Sequence, residues 1–188
     1  MSPKCPMVKK PYPPGSKRKR VKRGRGLSEY GKELNEKQKI KNWYNLNEMQ
    51  FSKYVKEILD KRGKTEDAGT LLIRKLESRL DNVIFRLGFV SSRAQARQVI
   101  SHGHFLVNGK KVNIPSYQVR KGDKINFHSR FQKKAIFKNL STTLKKHKPP
   151  SWIKFNVEKL EGEIIGAPSL EEANPPAEIS AIFEFYSK

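Results

Sequence analysis

The hydrophobic positions of this chain follow three successive rhythms. In LSEYGKELNEKQKIKNWYNLNEMQFSKYVKEILDKRG, Phe51, Tyr54, Val55, Ile58 and Leu59 recur at spacings of three, one, three and one. This is the stripe of an amphipathic helix, with Ser28 placed to cap an earlier helix and Gly63 to stop the later one. In TEDAGTLLIRKLESRLDNVIFRLGFV, Ile73, Leu76, Leu80, Val83 and Leu87 make one apolar face. A single helix is predicted there, ending at Gly88. Beside that face Lys75, Arg79, Asn82 and Arg86 fall at i, i+4, i+7 and i+11 and form a second, polar stripe. Ser91 or Ser92 then caps a short helix, with Gln95 spaced for a capping box to Ser92. Ala96, Val99 and Ile100 are predicted to face inward, Arg93 and Arg97 to share an outward face, and Gly103 to end the helix.

After Gly103 the period falls to two. FLV and KKVNI flank Asn108-Gly109, a dipeptide suited to the left-handed backbone of a tight hairpin. SYQV and KINF, joined by the turn around Gly122-Asp123, read as two more short strands. Residues 129–148 are basic and suit a further helix, which Pro149-Pro150 breaks. The tail reads as extended, partly acidic segments with an aromatic-rich end, AIFEFYSK. No internal repeat is visible.

The expected fold is therefore α+β. It comprises a mostly helical domain (27–69 and 129–188) with an inserted two-helix, short-strand module (70–128), preceded by a basic extension (1–26). That extension holds Pro3, Pro6, Pro11, Pro13 and Pro14 and little apolar surface. It cannot offset its own ordering entropy and is expected to be disordered without a partner.

Charge points to what that partner is. With 40 Lys and Arg against 18 Asp and Glu, the formal charge of the 188 residues is +22. Repulsion on that scale favours binding to a polyanion, and nucleic acid fits because bound cations release its condensed counterions. No apolar run is long enough to span a membrane and no secretory leader opens the chain, so no membrane partner is expected. The charge is uneven. Residues 1–26 carry only bases, whereas in 151–188 Glu158, Glu161, Glu163, Glu171, Glu172, Glu178 and Glu184 outnumber Lys154, Lys159 and Lys188. The acidic end is suited to a different partner. Cys5 is the sole cysteine, so an intrachain disulfide and the multi-cysteine metal spacings are ruled out.

Arg93 and Arg97 sit in the first turns of a capped helix, where free N–H groups and the helix dipole favour an anion. Arg79 and Arg86 come from the helix before it, and Lys110 and Lys111 can close the far side. Guanidinium forks match phosphate oxygens. Ion pairing with Glu77 and Asp81 is the alternative use of the same arginines. Short polar residues among the cations (Ser92, Gln95, Gln98, Asn108) lean toward RNA, which is read by shape, phosphates and 2′-hydroxyls. His102 and His104 have no third ligand nearby, so metal binding is not expected. Trp43 and Trp152 read as packing residues. Sparse histidines give no hydrolytic constellation, so no enzyme and no cofactor are expected.

The stretch ESRLDNVIFRLGFVSSRAQARQVISHGHFLVNGKKVNIPSYQVRKGDKI closely resembles the RNA-binding module of the S-four family of small-subunit ribosomal proteins. Some pseudouridine synthases, a heat-shock protein and tyrosyl-tRNA synthetases carry that module too. However, LSEYGKELNEKQKIKNWY with NEMQFSKYV resembles the family's upstream helical domain, and KPPSWIKFNVEKLEGEI and EISAIFEFYSK its downstream segments. The resemblance covers roughly residues 24–188. Asp81, in RLDN, resembles the catalytic aspartate of the synthases, but no catalytic domain accompanies it, so local ion pairing is the expected role. An RNA-modifying accessory or a free-standing chaperone of stalled large subunits fits the flanking matches less well.

The resemblance implies direct binding to the 5′ domain of small-subunit rRNA at a multi-helix junction, early in assembly. It implies RNA-contact roles for Arg79, Arg86, Ser92, Arg93, Arg97, Gln98, His102, Asn108, Lys110 and Lys111, to which the polar stripe adds Lys75. It further implies that Arg23 and Arg25 help to line the channel where messenger RNA enters. The C-terminal region would abut the fifth small-subunit protein, a contact tied to decoding accuracy. Many family members bind zinc through four N-terminal cysteines; with Cys5 alone, no zinc is expected here. A bacterial cytoplasmic ribosome is the expected setting.

Overall fold

In a computed structural model, residues 26–60, 67–128, 144, 147–156 and 160–187 are described. Cys5, Arg23, Arg25, Gly63 and most of the basic stretch 129–148 fall outside them.

Helix α1, Glu29–Trp43, begins where Ser28 accepts a hydrogen bond from the Gly31 amide at 3.2 Å. Helix α2, Glu48–Leu59, is capped by Asn47. Its predicted stripe is the inner face: Phe51, Val55 and Ile58 are buried, with Tyr54 and Leu59 packed beside them.

The next helix differs from the prediction. It breaks after Glu77 into α3, Ala68–Glu77, and α4, Leu80–Arg86, with Arg79 extended between them at φ −70° and ψ 139°. The break is held from outside. The amides of Leu80 and Asp81 donate to the carbonyls of Tyr117 (2.8 Å) and Pro115 (3.1 Å), and Val119 N–H donates to Ser78 O at 2.9 Å. Residues 115–119 thus commit their backbone groups to the break. For that reason SYQV makes only a bridge, Gln118 to Arg79, in place of the short strand expected. The apolar face survives but is shared: Ile73 and Leu76 enter one core, and Leu80, Val83 and Leu87 another.

Helix α5, Arg93–Ser101, is capped by Ser92, whose Oγ accepts from Gln95 N at 3.2 Å. The Gln95 side chain returns to Ser91, accepting from its N–H and Oγ–H, so the reciprocal bond lands one residue earlier than in a standard box. Strands β1, Phe105–Val107, and β2, Lys110–Val112, pair antiparallel through Asn108 (φ 51°) and Gly109 (φ 77°). Both turn residues are left-handed, as a type I′ hairpin requires.

Strand β3, Lys124–Phe127, lies beside β1. Strands β4, Ile153–Asn156, and β5, Glu161–Ile164, complete one antiparallel sheet of order β2-β1-β3-β5-β4. Two segments of the tail therefore extend the module's sheet, where the sequence had grouped the whole tail with the helical domain. Trp152, Ile153 and Ile164 share the core of α4 and α5, and Trp152 is a packing residue as expected. Helices α6, Leu170–Ala173, and α7, Ile179–Ser187, return to the helical side. Ile182 and Phe183 are buried there with Ile40, Tyr44, Phe51 and Leu72. The fold is mixed α+β, with two cores that meet along the α3–α4 break.

Candidate nucleic-acid interface

Two buried carboxylates organise the predicted arginines. Glu77, 1% exposed, accepts from Arg86 Nε (3.0 Å) and Nη2 (2.8 Å), from the Tyr44 hydroxyl at 2.7 Å, and from Asn82 Nδ2 at 2.5 Å. Burial, then the Glu77 charge and hydrogen bond, push the Tyr44 phenol far above its ordinary range. Asp81, 2% exposed, takes Arg79 Nε (3.0 Å) and Nη2 (2.6 Å) as a fork, and Arg97 Nε at 2.9 Å. The ion pairs that the sequence offered as an alternative use of these arginines therefore form, and they form in the interior.

Arg79 is the most enclosed of the set at 2% exposure. Its remaining terminal nitrogen donates to the Tyr54 hydroxyl at 2.7 Å. Its extended backbone takes it out of the predicted stripe, and its bonds, one from each guanidinium nitrogen, brace α2 against the module. Arg86 is likewise tied, donating also to the Ala173 carbonyl at 3.1 Å.

The expected outward face of Arg93 and Arg97 is corrected as well. Arg93 is 8% exposed. Its guanidinium stands 4.5 Å from the ring centroids of Trp43 and Phe85 and 5.0 Å from that of Tyr44, and its Nε donates to Asn82 Oδ1 at 2.7 Å. Burial lowers its pKa. The side of α5 that carries both arginines meets α4 and the aromatic residues of α1, leaving Arg97 at the edge with 26% of its side chain exposed. Lys75 pairs with Glu57 and lies 5.4 Å over the Tyr54 ring.

The other predicted contacts lie outside. Ser92, Gln98, His102, Asn108, Lys110 and Lys111 are exposed. A side chain added at Gly103 would collide with Lys111, so β2 brings that lysine against the C-terminal end of α5, where a cation is favoured. The Asn108 amide is occupied, donating to Asp123 Oδ1 at 2.8 Å and accepting from Lys124 N at 2.9 Å; it sets the hairpin against β3. Arg120, Lys121 and Lys124 are exposed cations of the same module that the motif reading passed over. Their clustering around Gly122 was the available signal.

Across the seam four guanidiniums (Arg79, Arg86, Arg93, Arg97) gather on two carboxylates and one amide, so the site keeps a positive excess. An anion suits that excess. Among the described residues no three His, Cys, Asp or Glu side chains converge as a metal site would need, and no helix is long and apolar enough to cross a membrane. Fold and site together define a cationic, polyanion-binding α+β module braced on a helical domain.

Comparison with known proteins gives the family. Residues 1–77 match the ribosomal protein S4/S9 N-terminal domain, and residues 78–125 match the S4 domain. The chain is 47% identical over 185 residues to small ribosomal subunit protein uS4A of Alkaliphilus oremlandii, spanning 98% of this chain and 86% of that one. It is 42% identical over 187 residues to uS4 of Kosmotoga olearia (100% and 87%), and 40% identical over 187 residues to uS4 of Thermus thermophilus (100% and 87%). The chain belongs to the uS4 family of small ribosomal subunit proteins, whose members are structural and not enzymes. The boundary between the two family domains, at residues 77 and 78, coincides with the helix break.

Proposed function

We propose that this chain is a structural constituent of the small subunit of a bacterial-type ribosome that binds small-subunit rRNA directly. It does so at the multi-helix junction of the 5′ domain, where it nucleates assembly. The observation that carries the reading is the arrangement of exposed polar and cationic residues along α5 and the β1–β2 hairpin. Ser92, Arg97, Gln98, His102, Lys110 and Lys111 form the contact face. Arg79, Arg86 and Arg93 stiffen it from behind, Asn108 sets the hairpin, and Lys75 flanks the seam. A rigid platform of charges loses little conformational entropy on docking, which suits a protein that binds RNA early. A net charge of +22 supplies the sequence-independent part of the affinity.

Two further contacts belong to the same reading. Arg23 and Arg25 approach messenger RNA at the entrance channel. The fifth small-subunit protein docks on the C-terminal region, with consequences for translational accuracy. The exposure of Glu171, Glu172, Glu178 and Glu184 supports this second contact, since an acidic surface on so basic a chain suits a protein better than RNA.

Filter binding of the full chain to a 5′-domain transcript across a salt series tests the reading. The double substitution Lys110→Ala with Lys111→Ala is expected to weaken binding and to reduce the salt slope by roughly 0.7–0.9 for each phosphate no longer neutralised. Unchanged affinity and slope would show that the hairpin is not part of the interface. Equal affinity of the unsubstituted chain for the transcript and for an arbitrary polyanion would defeat the whole assignment.

A further inference from the structure

Asp81 is saturated. Oδ1 accepts from Arg79 Nε at 3.0 Å and from the Asn82 amide at 2.9 Å; Oδ2 accepts from Arg79 Nη2 at 2.6 Å and from Arg97 Nε at 2.9 Å. A carboxylate offers about four acceptor sites, so Asp81 has none left for another ligand. Arg79 is itself anchored to the Tyr54 hydroxyl at 2.7 Å, which makes the carboxylate a fixed point between α2, α4 and α5.

Arg97 is the opposite case. Its only hydrogen bond among the described residues is the one from Nε to Asp81; Nη2 is buried without an acceptor, and Nη1 is neither bonded nor buried. Of its five guanidinium N–H donors, the two on Nη1 are unused and accessible, on a side chain 26% exposed next to the exposed Gln98. A bond at Nε orients the plane of the guanidinium while leaving Nη1 for a partner. A free arginine would surrender its rotamers on binding; this one has surrendered them on folding.

We propose that Asp81 is a positioning residue for the RNA interface, holding Arg97 by Nε so that its outer terminal nitrogen, Nη1, engages the sugar-phosphate backbone. The proposal rests on the reading of α5 as an RNA-facing helix. It makes a prediction opposite to simple electrostatics. A bystander carboxylate near a polyanion repels it, so removing the charge should tighten binding. A positioning carboxylate, once removed, lets the fork swing and binding weakens.

The test is filter binding of the full chain to a small-subunit rRNA transcript, for wild type, Asp81→Asn, Arg97→Ala, the double variant and Arg97→Lys. Asp81→Asn is expected to bind roughly tenfold more weakly, the scale of one charge-assisted hydrogen bond. In the Arg97→Ala background the same substitution should cost nothing further, because its effect passes through Arg97. Binding by Asp81→Asn as tight as wild type or tighter overturns the proposal. So does an equal loss in both backgrounds, the mark of a purely structural role. Should Asp81→Asn not fold, Arg97→Lys decides. It keeps the charge but not the fork, and a roughly tenfold loss supports positioning, while wild-type affinity overturns it. If wild type itself shows no preference for the transcript over an arbitrary polyanion, the RNA reading falls and this proposal with it. A wild type that prefers the transcript while Asp81→Asn binds no worse sinks the proposal alone.

Discussion

The guanidinium of Arg93, on the first turn of α5, stands 4.5 Å from the ring of Trp43, on the last turn of α1. Fifty residues of sequence separate them, and their contact joins the helical core to the module core. A desolvated pair of this kind is worth about 2 kcal/mol. Arg93→Ala, which also strands Asn82 Oδ1, is expected to lower the thermal midpoint by about 4–8 °C, at roughly 2–4 °C per kcal/mol for a chain of this size. Trp43→Ala should fall in the same direction. If scanning calorimetry gives less than a degree for either, the contact contributes little to joining the two cores.

A second joint responds to acid. Glu48 accepts from Lys37 at 2.6 Å, Lys41 at 3.1 Å and the Tyr186 hydroxyl at 2.8 Å. Burial raises its pKa, but the bonds from Lys37, Tyr186 and Lys41 outweigh that and hold the carboxyl at about 2, below the ordinary 4.5. A carboxyl whose folded value is depressed stabilises the fold fully above its unfolded value and loses that contribution as pH falls through the folded one. Stability should therefore decline from pH 4.5 toward 2, and Glu48→Gln should remove part of that decline. Parallel curves for the two proteins from urea unfolding at stepped pH would contradict the assignment.

The hairpin turn gives a third prediction. Gly109 has φ 77°, a conformation that costs a side-chain-bearing residue about 1–2 kcal/mol. Gly109→Val is expected to cost at least that much stability in urea unfolding and to weaken transcript binding, because Lys110 and Lys111 follow directly. Gly109→Asn, which tolerates the left-handed region better, should retain most of both. Equal behaviour of the two variants would show that the turn does not set the position of the lysines.

What the sequence disclosed is what neighbours decide. Caps at Ser28 and Ser92, stops at Gly88 and Gly103, the Phe51–Leu59 stripe and the Asn108-Gly109 hairpin all depend on residues within a few positions. The helix break could not be read this way. LIRKLESRLDNVIF keeps helical period throughout, and the acceptors that break it lie nearly forty residues later, at Pro115 and Tyr117. Periodicity also put Arg93 and Arg97 on one side of α5 correctly, but it does not say what that side meets. Trp43, Tyr44 and Asn82 take it. The sequence thus offered these cations and polar residues as one group, while which of them are buried and which exposed required the packing of both cores.

The pairing of α1 with α7 has a consequence for how the protein is made. The ring of Phe185 lies 4.6 Å from the Lys37 ammonium, and Ile182 and Phe183 bury themselves beside Ile40 and Tyr44. Helix α1 is made well ahead of residues 179–187, and part of its apolar side is covered only once they follow. A chain lacking α7 would leave part of that side uncovered, the kind of apolar surface that chaperones and proteases engage. The helical core is thus closed by the chain's last described helix, and its packing is completed only when residues 179–187 have been made.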